Sequence, residues 1–565
     1  MKSLCLRSVS FSMAGSTLVV RITPPWKERP EGLYLQMVPK RDFLQLTLRR
    51  GDRPVEFDHV AGPAGLVLKP RKGRGKVEFA FESPTTLRVR AAGIALHMEM
   101  PPAAWDQVLA RGRDRWQINH FGARDQLLLS RLSGKVRVDA PWNGMRAEHV
   151  KITVAGEIAL ETFTTTAPAD HARPTLGQCR QRAQKSFDSF LARLPAVPPR
   201  YRATRELAGY ILWSAIVAPQ GHYRRPAMLM SKNSMSSVWS WDHCFNAMAL
   251  AGSHPALALD QMLVMFDQQD KDGALPDCMA TDSIVWNFCK PPIHGWALRR
   301  MLEINPRVIS RRQLAAFYPQ LAAWTNWWLR TRDDDGDGIC QYHHGNDSGW
   351  DNATCFAVDM PVEGPDLAAF LVTQMDTLSE LARRLGRGAD AKRWQRRADR
   401  MLRDMIRHCW RGDRFAAMQS GAHRMPEKGD SLIPFAPLIL GRRLPPGIAR
   451  TLVNGLFEPD RFLTAHGLAT ESPKSPLYEP DGYWRGPIWA PSTHIIYDGL
   501  RQLGEHDRAL EVARRFCETC RTSGLPENFD ALTGAPLRDK AYTWTASVFL
   551  LLAHDLNGFR ERTAE

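Results

Sequence analysis

The stretch Gly345-Asn346-Asp347-Ser348-Gly349-Trp350-Asp351-Asn352-Ala353-Thr354 gathers two carboxylates, two amides, two hydroxyls and an indole into ten residues. Polar side chains at this density do not fill a core without partners, and the glycines let the backbone come close to something else. A polyol fits such a surface, and an ordinary polar turn is the plainer alternative. The polyol reading gains from company, because three other segments, far apart in sequence, have the same aromatic-plus-carboxylate character.

Working outward, 565 residues exceed one compact core, so at least two domains are expected. A hydrophobic content of 44% beside 24% charged residues is that of a soluble globular protein. The net charge of +15 permits an anionic partner. The arginines are scattered along helical faces and no recognition motif accompanies them, so nucleic acid is not an expected partner. Eighteen Trp suggest either sugar-stacking surfaces or large helices packing together. Ten irregularly spaced Cys suit reduced thiols in a cytoplasmic protein, and the lone pair Cys517 and Cys520 lies in a helical pattern with no second pair to complete a metal site. Arg7 interrupts the first apolar run, which argues against a signal peptide, and no run of 18 apolar residues suggests a membrane span. Glycosylation triplets at Asn346 and Asn352 fall inside the central stretch, where a glycan would block it.

Residues 1–175 read as a β-sandwich domain. Val77, Phe79 and Phe81 alternate with Lys76, Glu78 and Ala80; residues 9–23, 43–48, 87–89, 136–138 and 150–154 add similar runs between Gly and Pro clusters. Helical spacing marks 103–116 and 176–194, and the latter forms a linker over 176–200 that ends at Pro195-Ala196-Val197-Pro198-Pro199. From 201 to 565 the period is that of helices. Leu314, Phe317, Leu321, Trp324 and Trp328 make one stripe, Leu367 to Leu381 another, Trp394 to Cys409 a third and Leu510 to Cys517 a fourth, before a final apolar helix from Thr543 to about Leu556.

The polar aromatic motifs fall at helix ends and loops. Trp239-Ser240-Trp241-Asp242 precedes a helix that Asp242 is also placed to cap. Gln268-Gln269-Asp270-Lys271-Asp272-Gly273 ends another. Asp333-Asp334-Asp335-Gly336-Asp337-Gly338 begins like a calcium loop, but position twelve is His344 where Glu is needed, so a solvated turn is expected and no metal is assigned. Tyr483-Trp484-Arg485-Gly486-Pro487-Ile488-Trp489 sets a guanidinium between indoles, suited to a ligand carboxylate or hydroxyl, or to a buried ion pair. Glu527-Asn528-Phe529-Asp530 sets an acid in a loop after a helix.

In this order, the motifs Trp-x-Trp-Asp, Gln-x-x-Asp-Gly-x-x-Pro, Ser-Gly-Trp-Asp-Asn, Tyr-Trp-Arg-Gly-Pro-Ile-Trp and Glu-Asn-Phe-Asp-x-x-Thr-Gly resemble those of the inverting α-glycosidases built on an (α/α)6 barrel. The resemblance is greatest to glycoside hydrolase family 63, with the family 37 trehalases as relatives, and it spans roughly residues 200–556. It implies a mainly α fold, an (α/α)6 toroid preceded by a smaller β-sandwich. It matches Asp351 to the general acid and Glu527 to the general base, and it places Trp239, Trp241, Asp242, Gln268, Asp272, Trp350, Asn352, Trp484, Arg485 and Trp489 around a sugar. Asp347 stands where many relatives carry Glu, and Ala353 where Ser is frequent, which leaves the substrate open.

Hydrolysis with inversion needs a protonated carboxyl at the leaving oxygen and a carboxylate about 6.5–9.5 Å away to activate water. Asp351 must therefore hold its proton near neutrality while Glu527 stays ionised, and no cofactor is required. The expected reaction is exo-acting removal of a terminal α-linked hexose, glucose foremost, from a short saccharide or small glucoside. A glucosylglycerate or mannosylglycerate hydrolase is the rival, since the positive balance suits an anionic aglycone. A toroidal epimerase or lyase using His343, His344 or His494, or a non-catalytic carbohydrate-binding protein, are further alternatives.

Overall fold

The computed structural model describes residues 3–25, 30–39, 42–100, 103–121 and 124–563, so the outermost residues of the predicted domains lie outside the description. The chain forms two compact units. The first is Met1–Ala192 with Gly209–Ala218 and Ser231–Ser236; the second is Arg193–Ala208, Pro219–Met230 and Ser237–Glu565.

In the first unit the strands form one connected antiparallel ladder instead of two separate sheets. Leu18–Thr23, Gly32–Met37, Asp42–Arg50, Ala95–Met100, Val150–Phe163, Thr86–Ala92, Lys76–Ser83, Gly65–Pro70 and Phe57–Gly62 run in that order. The long strand Val150–Phe163 joins the halves: residues 150–154 pair with Ala95–Met100, and 157–161 pair with Thr86–Ala92. Between them, a Cβ on Gly156 would stand 2.2 Å from the Ser133 carbonyl, so only glycine lets the backbones pass at this crossing.

Helical spacing at 103–116 misleads. Gln107–Ala110 and Arg115–His120 form a hairpin, because Gly112 (φ 103°) turns the chain and Ile118 pairs with Leu127 of the neighbouring strand. Residues 9–17 are likewise not strand. They wrap buried Lys232, whose Nζ lies within hydrogen-bonding reach of Ser12 Oγ and the Met13, Ser16 and Ile216 carbonyls, while burial pushes its pKa down.

Among the described residues the α-helices are α1 (Leu176–Arg193), α2 (Arg202–Ala215), α3 (Asp242–Leu250), α4 (Pro255–Leu263), α5 (His294–Ile304), α6 (Arg311–Thr331), α7 (Pro365–Arg384), α8 (Gly388–Cys409), α9 (Pro446–Leu456), α10 (Ala490–Leu503), α11 (His506–Ser523) and α12 (Thr543–Thr563). Helix α1, predicted as linker, lays Leu176 and Cys179 on Ala80 of the sheet and is counted with the first unit as far as Ala192. The predicted stripes hold: Leu314, Phe317, Leu321, Trp324 and Trp328 are all buried on α6, whose first turn is closed by reciprocal hydrogen bonds between Ser310 and Gln313. All nine residues of α3 are buried, so this helix is covered on every side.

Helix packing in the second unit passes from α3 to α5, then α7, the 3-10 segment Ile433–Arg443, α10, α12 and back to α3. Helices α4, α6, α8, α9 and α11 pack on these. Two short ladders tie the loops at the helix ends. Val238–Trp239 pairs with Cys278–Met279, and Ile488–Trp489 pairs with Asn528–Phe529. All ten cysteines are free, and among the described residues no helix is long and apolar enough to cross a membrane.

Candidate active site

The second ladder sets Trp489 opposite Asn528, the residue after Glu527, and so joins the last two motifs. The Glu527 backbone is fixed by hydrogen bonds from its own N–H to the Asp539 carbonyl (2.7 Å) and from Trp544 Nε1 to its carbonyl (3.0 Å). Its carboxylate is 5% exposed and faces the Asp539 N–H at 3.5 Å.

Asp351 ends the tight turn of the central stretch. Gly349 adopts φ 75°, and a Cβ there would stand 2.5 Å from the Trp241 ring, so this glycine is required twice over. Asp347 is not a ligand-facing acid. It is buried and accepts from the Cys289, His343 and His344 N–H groups and from Arg332, which fixes the turn.

Around these acids runs a connected aromatic wall. Trp484 stacks on Trp489 at 4.0 Å between centroids and 6° between planes; Trp350 lies 5.0 Å and Trp241 6.2 Å from Trp484, and Trp544 meets Trp489 edge-on at 5.4 Å. Trp241, Trp350, Trp484 and Trp489 are all buried, so they shape the wall while Trp239, Asp351, Tyr483 and Arg485 keep open surface.

One phenol has both acids among its electrostatic neighbours. The Tyr483 phenol, pushed up by burial, also feels the charges of Asp351, Glu527 and Asp242. Burial raises the Asp351 carboxyl to about 6, against the pull of Lys290, although a third of its side chain meets solvent. Burial and then the Asp539 charge raise Glu527 to about 7, with Asp351 contributing. In the unliganded molecule the order is therefore the reverse of the one expected from the roles, because Asp351 has a cationic neighbour and Glu527 an anionic one.

Several predicted residues have other duties. Asp242 does not cap α3, whose N-cap is Trp241 without a side-chain bond; its buried carboxyl accepts from the Tyr542 hydroxyl at 3.4 Å. Asn352 spends its amide on the protein, donating to the Gly482 carbonyl and accepting from the Trp484 N–H. Arg485 donates to the Asn352 carbonyl at 3.0 Å and is neither buried nor closed between indoles. Gln268 donates to the His222 carbonyl, and exposed Asp272 pairs with Lys271. Gln268 and Asp272 thus both have bonding partners within the protein.

Lys290 was not legible in the sequence. It is buried, 3.1 Å from Asp277 Oδ1 and 4.0 Å from Asp351 Oδ1, and it donates to the Asn346 carbonyl at 2.6 Å. Burial works to lower its pKa, but the carboxylates of Asp351 and Asp277 outweigh that and keep it charged. Tyr483, Asp539, Tyr542 and Trp544 were missed as well. Only Tyr483 carried a signal, by standing inside a motif.

Asp351 and Glu527 thus lie in loops between helices of a unit whose linked indoles suit a sugar, the chemistry of a glycoside hydrolase. Residues 235–545 match the mannosylglycerate hydrolase MGH1-like glycoside hydrolase domain, and the chain belongs to that family of glycoside hydrolases. A mannosylglycerate hydrolase of Rubrobacter radiotolerans is 23% identical over 424 residues, covering 58% of this chain and 92% of the relative. Of the solved structures, the GH63 mannosylglycerate hydrolase of Thermus thermophilus in complex with glucose has a TM-score of 0.53 at 19% identity and covers 61% of this chain and 99% of its own. A bacterial glucoamylase complexed with acarbose has a TM-score of 0.64 at 10% identity and covers 98% of this chain and 94% of its own.

Proposed function

We propose that the second unit is an (α/α)6 toroid and that the protein is an inverting, exo-acting α-glycosidase removing one terminal hexose from a small glycoside. The circuit of helix contacts from α3 through α12 supports the toroid. In this reading Asp351 protonates the leaving oxygen and Glu527 takes a proton from the attacking water. The observation that carries it is the shared electrostatic field of Asp351, Glu527 and Asp242 at the Tyr483 hydroxyl. Trp239 and Tyr483 offer the open ring surface on which a pyranose stacks, and charged Lys290 orients the Asp351 side.

The aglycone is best read as small and anionic, a glycerate joined to glucose or mannose. The family match supports it, as do Arg485 and Arg538, both part-exposed and flanking the Tyr483 segment. A neutral oligosaccharide is the second reading, favoured by the glucoamylase likeness, which extends over the β-unit as well. The ten unpaired thiols support a cytoplasmic setting.

The deciding experiment incubates the enzyme with glucosylglycerate, mannosylglycerate, maltose and trehalose while proton NMR follows the first anomer released. Release of β-hexose from a glycerate conjugate is expected. Release of the α-anomer rejects inversion, and turnover confined to the disaccharides rejects the anionic aglycone.

A further inference from the structure

Four segments of the second unit converge on a second polar cluster that the glycosidase chemistry leaves unused. Asp337 lies in the loop after α6, Glu363 in the short strand Val362–Glu363, His408 in the last turn of α8 and His423 in the loop after Met418–Gln419. One ligand-capable atom from each of the four lies within 4.8 Å of all the others. His408 Nε2 is 2.5 Å from Glu363 Oε2 and 3.4 Å from Asp337 Oδ2, and His423 Nε2 is 3.9 Å from Asp337 Oδ2.

Hydrogen bonding inside the cluster is incomplete. Glu363 is fully buried, yet among the described residues its Oε1 has no hydrogen-bond partner, and neither has the buried Oδ2 of Asp337. Each orphaned carboxylate oxygen carries a desolvation cost that the neighbouring imidazoles offset only in part. Asp333 and Asp335 add further negative charge, Asp335 Oδ2 lying 3.4 Å from His423 Nε2. Two imidazolium ions would still be outnumbered by these four carboxylates. Arg411, whose guanidinium reaches the end of α8, is occupied with the His408 carbonyl at 2.7 Å and with Met418 Sδ.

We propose that Asp337, Glu363, His408 and His423 bind one first-row divalent transition ion, zinc foremost, as a structural staple. Bonds of about 2.0–2.2 Å around a tetrahedral ion separate neighbouring ligand atoms by about 3.4 Å. The His408–Asp337 distance already has that value, the His423–Asp337 distance closes slightly and the His408–Glu363 distance opens. Two imidazoles beside two carboxylates suit zinc, cobalt or manganese, whereas calcium and magnesium prefer oxygen alone. Asp337 precedes and Glu363 follows the segment that carries Asp351, so the ion pins the base of that excursion and removes loop-closure entropy from its fluctuations. The reading of the acidic loop as a solvated turn is thereby narrowed, since its last carboxylate turns inward to the histidines.

The test strips the full-length protein with a chelator, then titrates Zn²⁺ by calorimetry and Co²⁺ by visible absorption. One equivalent per chain is expected, with cobalt d–d bands of a low-symmetry nitrogen–oxygen site and a higher melting temperature. His408→Gln and His423→Gln should each weaken binding by more than roughly tenfold, the loss that removal of even an outer partner causes. Exposed His423 keeps the test independent of folding, and Asp351→Asn should leave stoichiometry and affinity unchanged. Absence of stoichiometric uptake, uptake indifferent to both histidine substitutions, or equal displacement by Ca²⁺ would overturn the proposal.

Discussion

At the level of single residues, burial holds both acids above the usual carboxylate range, Asp351 at about 6 and Glu527 at about 7. In the proposed mechanism the productive form has one proton, on Asp351. With Glu527 the more basic by about one unit, roughly one singly protonated molecule in ten holds the proton on Asp351. The kcat/KM profile should be a narrow bell with limbs near 6 and 7. It falls at low pH because Glu527 takes up a proton, and at high pH because Asp351 loses one. Asp539→Asn removes a charge that raises Glu527, so activity should rise on the acid side and stay unchanged on the alkaline side; an unmoved acid limb would deny Asp539 that influence. Asp351→Asn and Glu527→Gln should each lower kcat by about 10²–10⁴ with the melting temperature retained, and near-normal turnover in either would remove that residue from the mechanism.

At the level of elements, the site depends on short cross-links between loops. Asn352 holds the Gly482–Trp484 backbone through both ends of its amide. Asn352→Ala leaves a buried carbonyl and N–H without partners, costing about 1–3 kcal/mol. The expected result is a lower kcat with increased hydrogen exchange over residues 481–486. Unchanged exchange there would show that the amide does not hold the loop. The helices were legible because each buries a stripe at helical period, as α6 does. The hairpin at 107–120 was not, since its partner strand lies elsewhere in sequence and its apolar spacing suits both structures. The two candidate acids could be read from dense motifs, whereas Lys290 could not: its three carboxylate neighbours, Asp277, Asp351 and Asp242, come from three different segments. Within the motifs, Asn352 spends its amide on the Gly482–Trp484 backbone, and Trp484 and Trp489 stack on each other.

On the scale of the whole chain, the mannosylglycerate relative and its solved counterpart cover 58% and 61% of the residues, while the glucoamylase likeness extends across both units. The first unit has its own polar brace in Lys232. Lys232→Met leaves three backbone carbonyls and a hydroxyl to find new donors, a loss on the order of 3 kcal/mol or more. Hydrogen exchange should rise in Leu18–Thr23 and near Ile216, with the Asp351 segment unaffected. Protection that persists in those strands would mean that the wrap over residues 9–17 holds without the lysine.

The Trp484–Trp489 stack carries a practical corollary. Two parallel indoles in contact, with three more rings linked to them, form a built-in optical antenna inside the second unit. A saccharide settling beside it alters the polarity that those rings sense, so intrinsic emission should report occupancy in real time, with no label or coupled assay.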